Sequence, residues 1–216
     1  MKKFIFLLSF SFVFLFLLFY NFKEENDFSL PIFGGKDIIK KKNKENVVEE
    51  VIYHTIDYFS FIDQFENIVN TSTFHNKVYV ANFFFTTCPT ICPVMTTQML
   101  KVYNKYKNSE DFKIISHSID PNYDSVEILK SYSENIGIND NKTWHFVTGD
   151  KNEIYKIAQE SYYISVLEDK TIPGGIVHGG TFILVDKNRK IRGFYDGTKE
   201  KQVDNLIKDI YYLLSN

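Results

Sequence analysis

The sequence predicts an α/β domain, a mixed central sheet flanked by helices, and three observations point there. KVYVANFFF (77–85) is a continuous apolar strand, as expected for a sheet centre covered on both faces. After it, helical and strand-like patterns alternate. Near the C-terminus, GGTFILVDKNRKIRGFYDG reads as two strands joined by a tight Asp-Lys-Asn-Arg turn.

The N-terminus stands apart from that domain. Lys2 and Lys3 precede an apolar run from Phe4 to about Tyr20. At 1.5 Å per residue this rises roughly 26 Å, a little short of a hydrocarbon core of about 30 Å. The run exceeds the apolar region of a signal peptide, about 7 to 15 residues, and no small-x-small cleavage pattern follows. It holds no cysteine to accept a lipid. Lysines placed before the run keep the N-terminus cytoplasmic and export the rest. Residues 1–22 therefore read as an uncleaved signal anchor, a cleaved signal peptide being the alternative, with the domain on the outer (periplasmic) side of the inner membrane. Residues 23–50, charge-rich and interrupted by Pro31, Gly34 and Gly35, read as a polar stalk, and 51–216 as the folded domain.

Within the domain, PVMTTQMLKVYNKYK follows the apolar strand as a helix, with Met95, Met99, Val102 and Tyr106 at helical spacing. FKIISHSID (112–120) is the next strand. DSVEILKSYSENIG is a helix that Asp124 or Ser125 starts and Gly137 stops. In DKNEIYKIAQE, Asp150 and Glu153 are spaced like a capping box. The hairpin comes next, and a helix over about 199–214 closes the chain. This is the element order of a thioredoxin-like fold. A net charge of -2 offers nothing that would favour nucleic acid.

The two cysteines of the chain, Cys88 and Cys92, stand four apart where the buried strand turns into a helix, each followed by proline. Free N–H groups and the helix dipole there favour a thiolate, and proline suits a first helical turn. In an exported protein the default reading of a cysteine pair is a structural disulfide. On a helix, however, residues i and i+4 have Cβ atoms about 5–6 Å apart, whereas a disulfide needs about 3.5–4.5 Å. The loop closed would also be too small to stabilise much by chain entropy. A redox pair or a metal clamp fits better.

A metal clamp needs a third ligand. His54 lies before the core, His75 in a polar turn, and His117 and His145 read as packed or surface histidines. His178 ends the glycine-rich loop TIPGGIVHGG just before the strand TFILVD, and in this fold that loop faces the cysteine-bearing helix start. Two thiolates and one imidazole form a soft, low-coordination set. Structural zinc takes four ligands, so this set points to copper, Cu(I) in particular.

These residues resemble the Sco/SenC copper-binding proteins that assist cytochrome c oxidase assembly, from about Val51 to Leu214. FFFTTCPTICP is similar to the family's Cys-Pro-x-x-Cys-Pro segment. SHSIDPNYDS resembles its Ile-Asp-Pro strand end, TWHFVTGD its Trp-x-x-x-Thr-Gly segment, and HGGTFILVDKNRKIRGFYDG its histidine and hairpin. The resemblance implies that Cys88, Cys92 and His178 hold copper as Cu(I), with Cu(II) left open. It implies delivery to the copper-accepting subunit of the oxidase or another exported cuproprotein, or reduction of that partner's cysteines, with a thiol-reducing partner for the pair itself. Asp120 and Pro121 match a structural loop near the site. Two positions depart from the family: Thr90 lies between the cysteines and Val177 before the histidine, where aspartate is frequent.

The main rival is a membrane-anchored thiol–disulfide oxidoreductase that carries no metal. Such reductants use Cys-x-x-Cys, one residue shorter than the spacing here. A thiol peroxidase would place arginine beside its cysteine, whereas Arg189 and Arg192 fall at the hairpin turn.

Overall fold

The computed structural model describes residues 29–42, 47–140, 142–168 and 176–216, with the backbone path alone at 40–42, 47, 48, 167, 168 and 176–178. The expected anchor at 1–22 lies outside the described residues. Among those described, no helix is long and apolar enough to cross a membrane.

The centre of the molecule is a seven-stranded mixed sheet. Its middle is formed by β5 (Val78–Phe84), β6 (Phe112–Ser118) and β7 (Trp144–Thr148), which run parallel. Every residue of β5 and β7 is buried, as required of strands covered on both faces. On one side, β10 (Thr181–Val185) pairs antiparallel with β5 and with β11 (Ile191–Asp196). On the other, β3 (Ser60–Asp63) pairs antiparallel with β7 and with β4 (Ile68–Asn70).

Helix α1 (Cys92–Tyr106) connects β5 to β6, and α2 (Val126–Asn135) connects β6 to β7. Parallel strands joined this way take right-handed crossovers, which puts both helices on one face. There Tyr103 of α1 meets Trp144, and Tyr132 of α2 meets Phe84 and Phe146. The last helix, α4 (Glu200–Ser215), joins them: the Tyr106 hydroxyl donates to the Ile207 carbonyl at 2.7 Å. The opposite face is covered by the 3-10 turn Thr71–Phe74 and by α3 (Lys151–Lys156), which runs on into a π-turn, Ile157–Ser161. Tyr162, just after it, packs on Phe83 and His117.

The expected helices and the hairpin are present. Met95, Met99, Val102 and Tyr106 are the buried stripe of α1. Ser125 caps α2 by accepting from Ile128 N–H, and Gly137 ends it at φ +83°, a conformation glycine adopts without strain. The hairpin turn is held by Asp186, whose carboxylate accepts from the N–H of Asn188 and Lys190.

Several elements were not expected. The segment read as a stalk carries structure in its described part. There β1 (Lys36–Lys42) pairs antiparallel with β2 (Val47–Tyr53) as a separate two-stranded ladder. Before it, Leu30 is buried, Phe33 bridges to Ile191, and Arg192 donates to the carbonyls of Leu30 and Pro31. Strand β7 is a further element that the sequence patterns do not predict, and its short run fills the sheet between β6 and β3. A second small ladder joins β8 (Val166–Glu168) to β9 (Ile176–His178), so His178 ends a strand, paired opposite Val166.

Candidate metal and redox site

The site lies at the carboxyl ends of β5 and β6, where ligands of open α/β sheets collect. After Phe84 the chain makes a turn in which Cys88 N–H donates to the Phe85 carbonyl at 3.3 Å. Helix α1 begins only at Cys92, with Pro93 in its first turn, where no N–H is missed. Cys88 therefore sits in the loop and not on the helix, which corrects the helical-spacing argument made for the pair. The loop brings the sulfurs together: neither is disulfide-bonded, both are buried, and the Cys92 thiol hydrogen-bonds to Cys88.

The two sulfurs differ in character. Burial works to raise the Cys88 thiol, but hydrogen bonds from the Cys92 thiol, the N–H groups of Thr90 and Cys92 and the Thr90 hydroxyl outweigh it. Its pKa is held below the ordinary thiol value. Burial drives the Cys92 thiol well up, and the bond to Cys88 and the nearby Asp124 charge act in the same direction. Thr90 contributes a hydroxyl 3.8 Å from the Cys88 sulfur.

Both cysteines open onto a cleft of about 520 Å³ between α1 and α2, lined also by Thr86, Thr96, Tyr132 and Ile136. The Thr96 and Tyr132 hydroxyls meet at 2.7 Å and join the two helices beside it. Beneath the loop lies Asp124, fully buried, whose carboxylate accepts from Thr86 N–H, the Thr86 hydroxyl and the Ser118 hydroxyl. Burial raises its pKa above the usual carboxylate value against those hydrogen bonds. Sequence reasoning took Asp124 only as a helix start, because an Asp-Ser pair before an apolar period looks like a cap whichever residue performs it.

The histidines separate clearly. His54 places Nε2 2.9 Å from the Ser161 carbonyl, and His75 is exposed after the 3-10 turn. His145 Nδ1 lies 3.1 Å from Asp63 in the core. His117 is enclosed by Phe59, Phe61, Phe83 and Tyr162, and burial pushes its pKa down to about 3. All four are accounted for away from the cysteine loop.

The side chain of His178 lies outside the described residues, but its strand leads to the site. Gly180, two residues on, accepts from Gly197 N–H at 2.6 Å. A Cβ at Gly180 would stand 3.4 Å from the Met95 sulfur and 3.6 Å from Ile91 Cδ1. The chain leaving His178 thus passes directly against the first turn of α1. Among the described side chains, no third His, Cys, Asp or Glu joins the two sulfurs in ligand geometry.

The sequence profile of the SCO1/SenC family matches residues 50–215. The SCO1 protein homolog of Bacillus subtilis is 30% identical over 166 residues, covering 76% of this chain and 84% of its own. The crystal structure of a SCO1/SenC family lipoprotein from Bacillus anthracis has a TM-score of 0.68 at 30% identity, over 74% of this chain and 95% of that one. BsSco, a member of the Sco family of cytochrome c oxidase assembly proteins with a disulfide switch, has a TM-score of 0.64 at 31% identity, over 73% and 92%. At greater distance, Arabidopsis thaliana ScoI with copper bound shares the fold, with a TM-score of 0.60 at 23% identity over 72% and 98%. The profile covers the central sheet, the cysteine loop and the hairpin alike: this chain belongs to the SCO1/SenC family.

Proposed function

We propose that this protein is a membrane-anchored copper metallochaperone for assembly of the copper site of cytochrome c oxidase, with copper as cargo held by Cys88, Cys92 and His178. The observation that carries this reading is the pair of buried, mutually hydrogen-bonded thiols at the end of β5, with the strand of His178 leading onto the same helix turn. Buried sulfur with few competing oxygen donors suits Cu(I). The family membership and the copper-bound relatives support the choice of metal. The acceptor is the copper-accepting subunit of the oxidase or another exported cuproprotein. Residues 1–22 supply the anchor and hold the domain on the outer side of the inner membrane.

The inequality of the two sulfurs supports a second role for the same pair. A Cys88 thiolate can attack a partner disulfide, and Cys92 then displaces the mixed disulfide, leaving the partner reduced and Cys88–Cys92 oxidised. Reduced, the pair takes copper; oxidised, it does not.

The test is anaerobic Cu(I) titration of the reduced protein against Cys88→Ser, Cys92→Ser and His178→Ala. One-to-one binding that weakens in all three variants is expected. If His178→Ala binds as wild type, the third ligand is wrong. Absence of binding, with rapid dithiol exchange instead, would overturn the chaperone in favour of the reductase.

A further inference from the structure

We infer that Asp124 is a positioning residue for the cysteine pair, holding through Thr86 the turn that presents Cys88 to its partners. The inference rests on the reading of Cys88 and Cys92 as the working pair, and deepens it.

Asp124 occupies the loop between β6 and α2, and the adjacent Ser125 already serves as the helix cap. Its carboxylate is therefore released from capping and turns inward, where it is fully buried. Removing a carboxylate from water is costly unless donors surround it. Here the donors come from two separate strand ends. Ser118 at the end of β6 donates its hydroxyl at 2.5 Å. Thr86, after β5, donates both its hydroxyl and its N–H, the latter at 3.2 Å.

Thr86 lies two residues before Cys88 and also lines the cysteine cleft. The turn is thus fixed at two points, by Asp124 at Thr86 and by the Phe85 carbonyl at the Cys88 N–H. Asp124 is itself set by its own N–H, which donates to the Asp120 carbonyl at 2.9 Å, while Asp120 N–H donates to the Ser118 hydroxyl at 3.2 Å. Merely joining two strand ends requires no charge, since hydroxyls or an amide would do it. A carboxylate makes the tie stiffer, because hydrogen bonds to a charged acceptor are roughly twice as strong as neutral ones. Stiffness at Thr86 matters because copper capture and disulfide closure both depend on where the Cys88 sulfur sits relative to Cys92.

The experiment uses the full chain with Thr86→Val, Thr86→Ser and Asp124→Asn. Two quantities are read: the dithiol–disulfide equilibrium constant of the metal-free protein in glutathione buffers, and Cu(I) affinity by competition with a chromophoric chelator. Thermal melts run alongside. Thr86→Val, which keeps the β-branched shape and loses the hydroxyl, is expected to shift both quantities by roughly 10-fold. Thr86→Ser is expected to return both to within about 3-fold of wild type. A Thr86→Val protein that melts lower but keeps wild-type equilibrium constant and affinity would make Asp124 a structural brace only, and so would a serine variant no better than valine. Should Asp124→Asn not fold, the Thr86 pair alone decides. Failure of the wild-type protein to bind Cu(I) would overturn the copper reading and leave the equilibrium constant to judge Asp124.

Discussion

At Cys88 two backbone N–H groups and two side chains stabilise a thiolate, while burial and the neighbouring sulfur keep Cys92 protonated. Iodoacetamide on the reduced protein should therefore label Cys88 first. Its rate should level off below the ordinary thiol pKa and fall about tenfold per pH unit beneath that plateau. Peptide mapping by mass spectrometry reads this directly, and faster labelling of Cys92 would contradict it. Asp63 is a second residue with a pH signature. Burial raises its carboxyl, but hydrogen bonds from His145, Asn67 N–H and Phe65 N–H together hold it below the ordinary value of 3.8. A depressed carboxylate stabilises the fold above its unfolded pKa, and that contribution is lost as pH falls through the folded value. Asp63→Asn should cost about 2 kcal/mol at pH 7, and the gap to wild type should narrow below the ordinary value of 3.8. Urea melts at the two pH values would measure it.

Among the elements, those that bury one regular stripe were legible in the sequence. Helix α1 announced itself through Met95, Met99, Val102 and Tyr106, and β5 through an unbroken apolar run. Strand β7 was not legible: WHFVT is only five residues long, and its burial comes from strands far away in sequence. The β1–β2 ladder was missed for a different reason, since lysines and glutamates that suggest a linker also suit a solvated two-stranded ribbon. For the site, cysteine spacing was informative, but the work of Asp124 depends on three strand and loop ends converging, which no local pattern encodes. The turn after β11 belongs to the same class. A Cβ at Gly197 would meet the Phe182 ring at 2.7 Å, while Gly197 N–H holds Gly180. Gly197→Ala should destabilise by about 1–3 kcal/mol. It should also weaken Cu(I) binding more than an equally destabilising change remote from the site, such as a truncation in α4. Equal effects on binding would disconnect this turn from the site.

For the whole molecule, the domain extends further toward the N-terminus than the onset of the apolar pattern at Val51. Leu30, Phe33 and the two carbonyls bound by Arg192 belong to its packed body. A chain starting at residue 51 should therefore be less stable than one starting at residue 23, by roughly 2–4 kcal/mol for the lost apolar burial and charged hydrogen bonds. Both should still bind Cu(I), because neither cut touches the cysteine loop. Paired denaturant melts and copper titrations would check this, and equal stability would return residues 29–50 to a plain linker.

The Phe33–Ile191 bridge lies where β10 turns into β11, and β5 starts at that same end of the sheet, Tyr79 opposite Val185. Seven residues later β5 delivers the chain to the cysteine loop. At about 3.3 Å per residue, the Phe33 bridge and the cysteine loop stand roughly 23 Å apart, at opposite ends of β5. The sheet is then a rigid boom. Under the anchored reading proposed above, a body held from its Phe33 end would carry its sulfurs outward, and because Leu30 and Phe33 are packed into that body, reorienting it would move both sulfurs together. On that reading, reach toward an acceptor would come from moving the body as a whole, with the spacing of the two sulfurs unchanged.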